Sequence, residues 1–197
     1  VGIGMCGNTG DPGHWHYPLL NPPISLGQYL DAYDWHPYPA PRNRRPEEVN
    51  NICDGVDSMR ESVPKVRALV AGKEVWISEH GFSMCNPLDP IVAEANKSGS
   101  PCAPFDVTEK QQADYLVRQV VLELAYGIDR VFIYQLGADG PGEGYEEQFG
   151  ITRGRPNGLS AKLAYVQIAN MIQELAGATP LAAEMPLLST SIARVLQ

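Results

Sequence analysis

The stretch Glu74-Val75-Trp76-Ile77-Ser78-Glu79-His80-Gly81-Phe82 constrains this chain more than any other. A short run of β-forming residues leads directly into a carboxylate, a histidine and a glycine. Such a run reads as a buried strand. Glu79 then stands at its carboxyl end, where parallel-sheet proteins carry their chemistry. Gly72 and Lys73 mark the start of the strand, and Gly81 lets the chain turn away. A lone glutamate after a strand is more often a solvated surface group than a catalyst. Here the ends of the other predicted strands also collect polar and aromatic residues: Asn8, His36 with Tyr38, and Gln135 with Asp139.

Those strands are predicted at residues 1–6, 32–39 and 130–136, with one more possible at 191–196. Helices are predicted between them. A short one covers residues 25–30. A second starts at Pro46-Glu47-Glu48, with proline in the first turn and acids at the positive end of the dipole. Its buried face would be Val49, Ile52, Val56 and Met59, and Pro64 would break or kink it. Thr108-Glu109-Lys110-Gln111 is a capping box. The helix behind it places Ala113, Leu116, Val117, Val120 and Leu124 on one face and ends at Gly127. A last helix over 160–175 turns Ala164, Ile168, Met171 and Leu175 inward, with Gly177 as its cap. Strands alternating with helices predict βαβ units and a parallel sheet, an α/β architecture. The loop at 83–107 is long enough to suggest a function.

With 197 residues, 44% hydrophobic and 19% charged, the chain fits one domain or a large piece of one, and it can bury a core. The net charge of −8 argues against a general nucleic-acid binder, which needs a basic face. No apolar run approaches the ~20 residues of a membrane span, and no secretory leader is visible. The first residues already read as the inside of a strand. Four cysteines are too few for a disulfide scaffold and lack metal-site spacing. Cys85 and Cys102 flank one loop and either bridge it or stand apart. Cys6 and Cys53 read as small core residues.

His36 and Tyr38, two residues apart, share one side of their strand. They can hydrogen-bond a carboxylate and a sugar hydroxyl, or be a satisfied core histidine and a packed tyrosine. His14-Trp15-His16 has no metal-binding partner at a known spacing, so no metal or other cofactor is expected. Trp15, Tyr17 and Trp35 would form a stacking platform for sugar faces, or pack as ordinary loop residues. No Gly-x-Ser-x-Gly elbow is present for acyl-transfer chemistry.

In combination these segments are familiar. Tyr33-Asp34-Trp35-His36-Pro37-Tyr38, then Val75 to Phe82, then Val131-Phe132-Ile133-Tyr134-Gln135-Leu136 resemble the last strands of retaining β-glycosidases of glycoside hydrolase clan A. Gln148-Phe149-Gly150-Ile151-Thr152-Arg153, followed by Lys162-Leu163-Ala164-Tyr165, resembles the family's passage from the eighth strand into the eighth helix. The resemblance covers residues 1–177 and implies a (β/α)8 TIM-barrel fold. This chain would carry only its C-terminal half, about four βα units, made of strands five to eight. Residues 178–197 would begin a β-rich accessory domain.

The resemblance further implies that Glu79 is the nucleophile at the end of the seventh strand and that His36 and Tyr38 line the subsite beside it. Asn8, Trp35, Trp15, Tyr134 and Gln135 are the other substrate-binding candidates. The implied reaction is retaining hydrolysis of β-linked glycosides or polysaccharides, with carbohydrate as partner and an extracellular or periplasmic setting. The chain departs from the family in two ways. No Asn-Glu strand ending supplies the acid/base glutamate, and Ile133 or Tyr134 stands where relatives often have a tryptophan. Asp31, Asp34 and Asp139 lack the expected position for that acid. A missing N-terminal half-barrel, or a second copy, would then complete the site. The rival expectation is a non-catalytic carbohydrate-binding or scaffolding half-barrel. A metal-dependent barrel enzyme is the weaker third reading.

Overall fold

A computed structural model describes residues 26–40, 46, 50–51, 63–64, 66–68, 70–84, 107–137, 148–153 and 159–178. The predicted first strand, Asn8, His14 to Tyr17, all four cysteines, Asp139 and the tail after residue 178 lie outside the described residues.

The central strand is β4, Glu74–Ile77, the apolar run that leads to Glu79. It lies between β1, Ala32–Trp35, and β5, Arg130–Val131, in a three-stranded sheet of order β1-β4-β5. Both pairings are parallel, with Tyr33 opposite Val75 and Ile77 opposite Val131. Parallel neighbours need long crossovers, and these carry the helices. A second, two-stranded antiparallel sheet pairs β2, Pro39–Ala40, with β3, Asn50–Asn51. That pairing replaces part of the helix expected from Pro46 onward. Extended backbone at Asn50 and Asn51 satisfies its hydrogen bonds with the strand beyond Tyr38 instead of within a helix. Helical backbone is found later, at Val63, Pro64 and Val66 to Ala68, and Pro64 lies within it. The short helix near residue 26 is a 3-10 turn, Leu26–Tyr29.

Strand alternation divides the sheet into two faces. Tyr33, Trp35, Val75 and Ile77 point to one side and bury against Val63, Val66, Val70 and Ile128. Burial pushes the Tyr33 phenol well above its usual range, and the charge of Asp34 adds to the effect. Asp34 and Trp76 occupy the opposite, more open face.

Helix α1, Glu109–Ala125, starts with the expected capping box. The Thr108 hydroxyl accepts from Gln111 N at 3.2 Å, and Gln111 Oε1 accepts from Thr108 N at 2.9 Å. Its far end closes as a Schellman motif. Gly127 has φ +92°, its N–H donates to Leu124 O at 3.0 Å, and Ile128 N donates to Glu123 O at 3.0 Å. Helix α2, Leu163–Leu175, packs on α1 through Ala164, Ile168 and Met171. Leu175, expected to face inward, is exposed in the last turn. The N-terminus of α2 borrows its cap, because Leu163 N donates to Glu109 Oε1 at 3.0 Å. Arg153 holds that carboxylate from the other side at 3.1 Å.

Among the described residues no helix is long and apolar enough to cross a membrane. Among them, too, no group of three or more His, Cys, Asp or Glu side chains could hold a metal ion.

Candidate active site

The ladder of β4 stops at Ile77, and there the strict alternation of side chains also stops. Continued alternation would send Glu79 the way of Ile77, into the helix layer. Instead both Ser78 and Glu79 meet His36, and it is His80 that turns into the helix layer. The Tyr38 hydroxyl donates to Glu79 Oε2 at 3.1 Å. His36 Nδ1 lies 3.5 Å from the same oxygen. The Glu79 side chain keeps 41% of its surface accessible. His36 Nε2 is 2.7 Å from Ser78 Oγ.

Asp34, His36 and Tyr38 thus follow one another along one side of β1 and its extension, facing the end of β4. Asp34 is engaged on both oxygens: Ser78 N donates to Oδ1 at 3.1 Å, and Ser78 Oγ donates to Oδ2 at 2.7 Å. A carboxylate held in this way is poorly placed to shuttle a proton to substrate. Asp31, the other candidate second carboxylate described here, lies before β1, at the opposite end of the strand from His36.

Tyr134 follows β5 and packs edge-on to Tyr38, with ring centroids 6.5 Å apart, and to Phe149 at 5.5 Å. Tyr38 and Phe149 meet edge-on at 5.7 Å. The three rings set the tilt of the Tyr38 hydroxyl toward Glu79. Tyr134 N donates to His80 O at 2.8 Å, and Gln135 O accepts from Ile151 N at 2.9 Å. The first bond brings the end of β5 beside the end of β4, and the second ties it to the segment 148–153. Trp35 departs from expectation. It is 1% exposed in the core behind the sheet and is not part of a platform at the cleft. Alternation accounts for this, since Trp35 sits between Asp34 and His36 and must face the other way. Asn8 and Trp15 lie outside the described residues.

Sequence reasoning missed three residues. Ser78 bridges Asp34 and His36. Gln112, fully buried on α1, donates from Nε2 to Phe82 O at 2.8 Å and to Phe149 O at 3.2 Å. It ties both segments flanking the aromatic group to the helix. Glu123 on α1 approaches His80 Nδ1 at 3.2 Å, with both side chains 0% exposed. The distance is short, but the ring nitrogen is not aligned as in a good hydrogen bond, and the contact is best described as a buried close pair. The available signal for Ser78 was its place directly before Glu79. The only signal for Gln112 and Glu123 was their interruption of an otherwise apolar helix face.

A parallel sheet with helices behind it and a polar cluster at its carboxyl edge is an α/β arrangement. No family model matches the sequence, and no curated protein does. Solved structures show what the fold resembles. A family 39 glycoside hydrolase from Bacteroides cellulosilyticus WH2 matches at 22% identity over 81% of this chain, with a TM-score of 0.55. A GH2 β-galacturonidase from Eisenbergiella tayi, bound to galacturonate, matches at 17% identity over 89% of this chain, with a TM-score of 0.51. The chain spans 30% of the first and 27% of the second. Its fold is therefore glycosidase-like.

Proposed function

We propose that this chain carries the nucleophile side of a retaining glycoside hydrolase active site, with Glu79 as the nucleophile. The observation that carries the reading is the Glu79 carboxylate at the end of β4, reached by the Tyr38 hydroxyl at 3.1 Å and by His36 at 3.5 Å, on a glycosidase-like fold. Retaining enzymes place two carboxyl groups about 5–5.5 Å apart across the scissile bond. Glu79 attacks the anomeric carbon and forms a glycosyl ester. The departing oxygen takes a proton from the second carboxylic acid. Water then attacks the anomeric carbon of that ester, gives its proton to that same group, and the Glu79 carboxylate leaves. The second group is an acid/base glutamate outside this chain, supplied by the remainder of a TIM barrel, and β-linked glycosides or polysaccharides are the substrates. Tyr38 and His36 orient the nucleophile, and Tyr134 and Gln135 border the sugar subsite. Asn8 and Trp15 are proposed to join them.

The test is hydrolysis of an aryl β-glycoside by the complete protein and by its Glu79→Gln variant. Turnover is expected to fall to the uncatalysed background in the variant. Retained turnover overturns the assignment. Oligosaccharide binding with no hydrolysis by the unaltered protein would instead assign the chain to a non-catalytic, carbohydrate-binding role.

A further inference from the structure

The groups around His36 form a chain of short polar contacts whose hydrogens can be counted. Asp34 accepts from Ser78 twice, from the backbone N–H at 3.1 Å and from the hydroxyl at 2.7 Å. A serine hydroxyl has a single hydrogen. With that hydrogen directed at Asp34, the Ser78 oxygen is left as an acceptor toward His36 Nε2 at 2.7 Å. We infer that Asp34, acting through Ser78, is a positioning residue that fixes His36 in its Nε2–H form and so presents Nδ1 to Glu79. The functional meaning of this device rests on the reading of Glu79 as nucleophile.

The alternative would supply an Nδ1–H toward Glu79 at 3.5 Å, but it fits less well at the closer Ser78–Asp34 contact. If Ser78 gave its hydrogen to His36, two acceptor oxygens, Ser78 Oγ and Asp34 Oδ2, would face each other at 2.7 Å with no hydrogen between them. A backbone N–H holds Asp34 Oδ1 at the same time, so the carboxylate cannot swing away without losing that bond. The order of groups also differs from a serine nucleophile triad, where the imidazole bridges serine and carboxylate. Here serine is the bridge, and its hydrogen points away from the imidazole. Ser78 therefore transmits orientation and is not activated for attack.

The consequence falls on Glu79 Oε2. Nδ1 lies 3.5 Å from this oxygen, which also accepts the Tyr38 hydroxyl at 3.1 Å. With one ring proton, on Nε2, Nδ1 turns a lone pair toward the carboxylate. A second ring proton enters at Nδ1 and becomes a charge-assisted donor to Glu79. Among the described residues, the ring is faced by Asp34 from β1 and by Ser78 and Glu79 from the end of β4, among other contacts, and Asp34 Oδ2 lies 3.7 Å from Nε2. Asp34 thus decides which ring nitrogen responds to Glu79.

Long-range proton–nitrogen correlation of the protein labelled with 15N-histidine reads the tautomer directly, at a pH where the ring carries one proton. The chain has four histidines, and the His36 signal is assigned by its loss in His36→Gln. The unaltered protein is expected to show the Nε2–H form. In Asp34→Asn the amide oxygen still accepts from Ser78 N, and the amide N–H donates to Ser78 Oγ. The serine hydrogen then turns to His36 Nε2, and the ring switches to Nδ1–H. Ser78→Ala removes the relay and its Nε2–H preference, and Ser78→Thr restores both. An Nδ1–H ring in the unaltered protein overturns the inference, as does an Nε2–H ring unmoved by Asp34→Asn and Ser78→Ala. The pH profile of kcat/KM on an aryl β-glycoside should shift in Asp34→Asn. A switched tautomer with an unmoved profile overturns the link to Glu79. Activity retained in Glu79→Gln overturns the nucleophile reading alone and leaves the tautomer assignment standing.

Discussion

Gly81 has no side chain because two neighbours occupy the space. A Cβ there would lie 2.2 Å from Tyr134 O and 2.8 Å from Phe149 Cδ1. The sequence suggested a glycine for turning, but the need is close approach between the ends of β4 and β5. Gly81→Ala must push back a backbone carbonyl and a packed ring. Overpacking of this kind costs about 1–3 kcal/mol. The loss should appear in denaturant unfolding, with a fall in turnover as Tyr134 shifts against Tyr38. Tyr38→Phe isolates the hydroxyl. Hydrogen bonds to charged groups contribute about 1.5–3 kcal/mol, so turnover should drop on the order of 10–100-fold with the melting temperature nearly unchanged. An equal loss of stability and activity would show that the hydroxyl serves the fold rather than the nucleophile alone.

At the scale of elements, α1 is tied to the strand ends by polar groups buried in its apolar face. Gln119 Nε2 donates to Glu123 Oε1 at 2.9 Å, and the same oxygen approaches His80. Since His80 directly follows Glu79, this contact fixes the side of the strand on which Glu79 emerges. Glu123→Leu should cost on the order of 1–3 kcal/mol, because the buried Gln119 Nε2 loses its acceptor and His80 loses a close polar neighbour. Pairing it with His80→Leu should recover much of that loss, and a double-mutant cycle by chemical denaturation measures the coupling. A zero coupling energy would remove the locking role. The capping box permits a simpler check: Thr108→Ala should lower stability by about 1 kcal/mol.

For the whole molecule, stability toward acid depends in part on Glu74. The Trp76 indole and the Arg130 guanidinium both donate to its carboxylate and hold it below its ordinary value of 4.5. A depressed folded value means that the contribution is complete above that ordinary value and fades as the pH falls through the folded one. Glu74→Gln should therefore unfold with a weaker pH dependence below about 4.5, and an unchanged acid limb would show that the contacts are screened. The Arg67–Asp129 pair at 2.8 Å anchors the start of β5, the same neighbour of β4 that carries Arg130, since Asp129 Oδ2 also accepts from Val75 N at 2.8 Å.

The sequence by itself determined the alternation of strand and helix, the caps of α1, and the grouping of Glu79, His36 and Tyr38 at strand ends. These follow from local rules: period two in strands, a capping box, a glycine past the helix end. The same period-two rule, applied through Asp34 and His36, would also have sent Trp35 to the core. Tertiary structure decided the rest. It chose a strand pairing at Asn50 and Asn51 over a helix beginning at Pro46. It buried Gln112, Glu123 and His80, polar residues whose partners lie far away in sequence. Above all, it set the direction of Glu79. Local periodicity predicts that Glu79 faces the helix layer. The ladder ends at Ile77, His80 lies against Glu123 on α1, and Glu79 turns to meet Tyr38. No pattern within the strand encodes that turn, because its causes lie on α1 and β1.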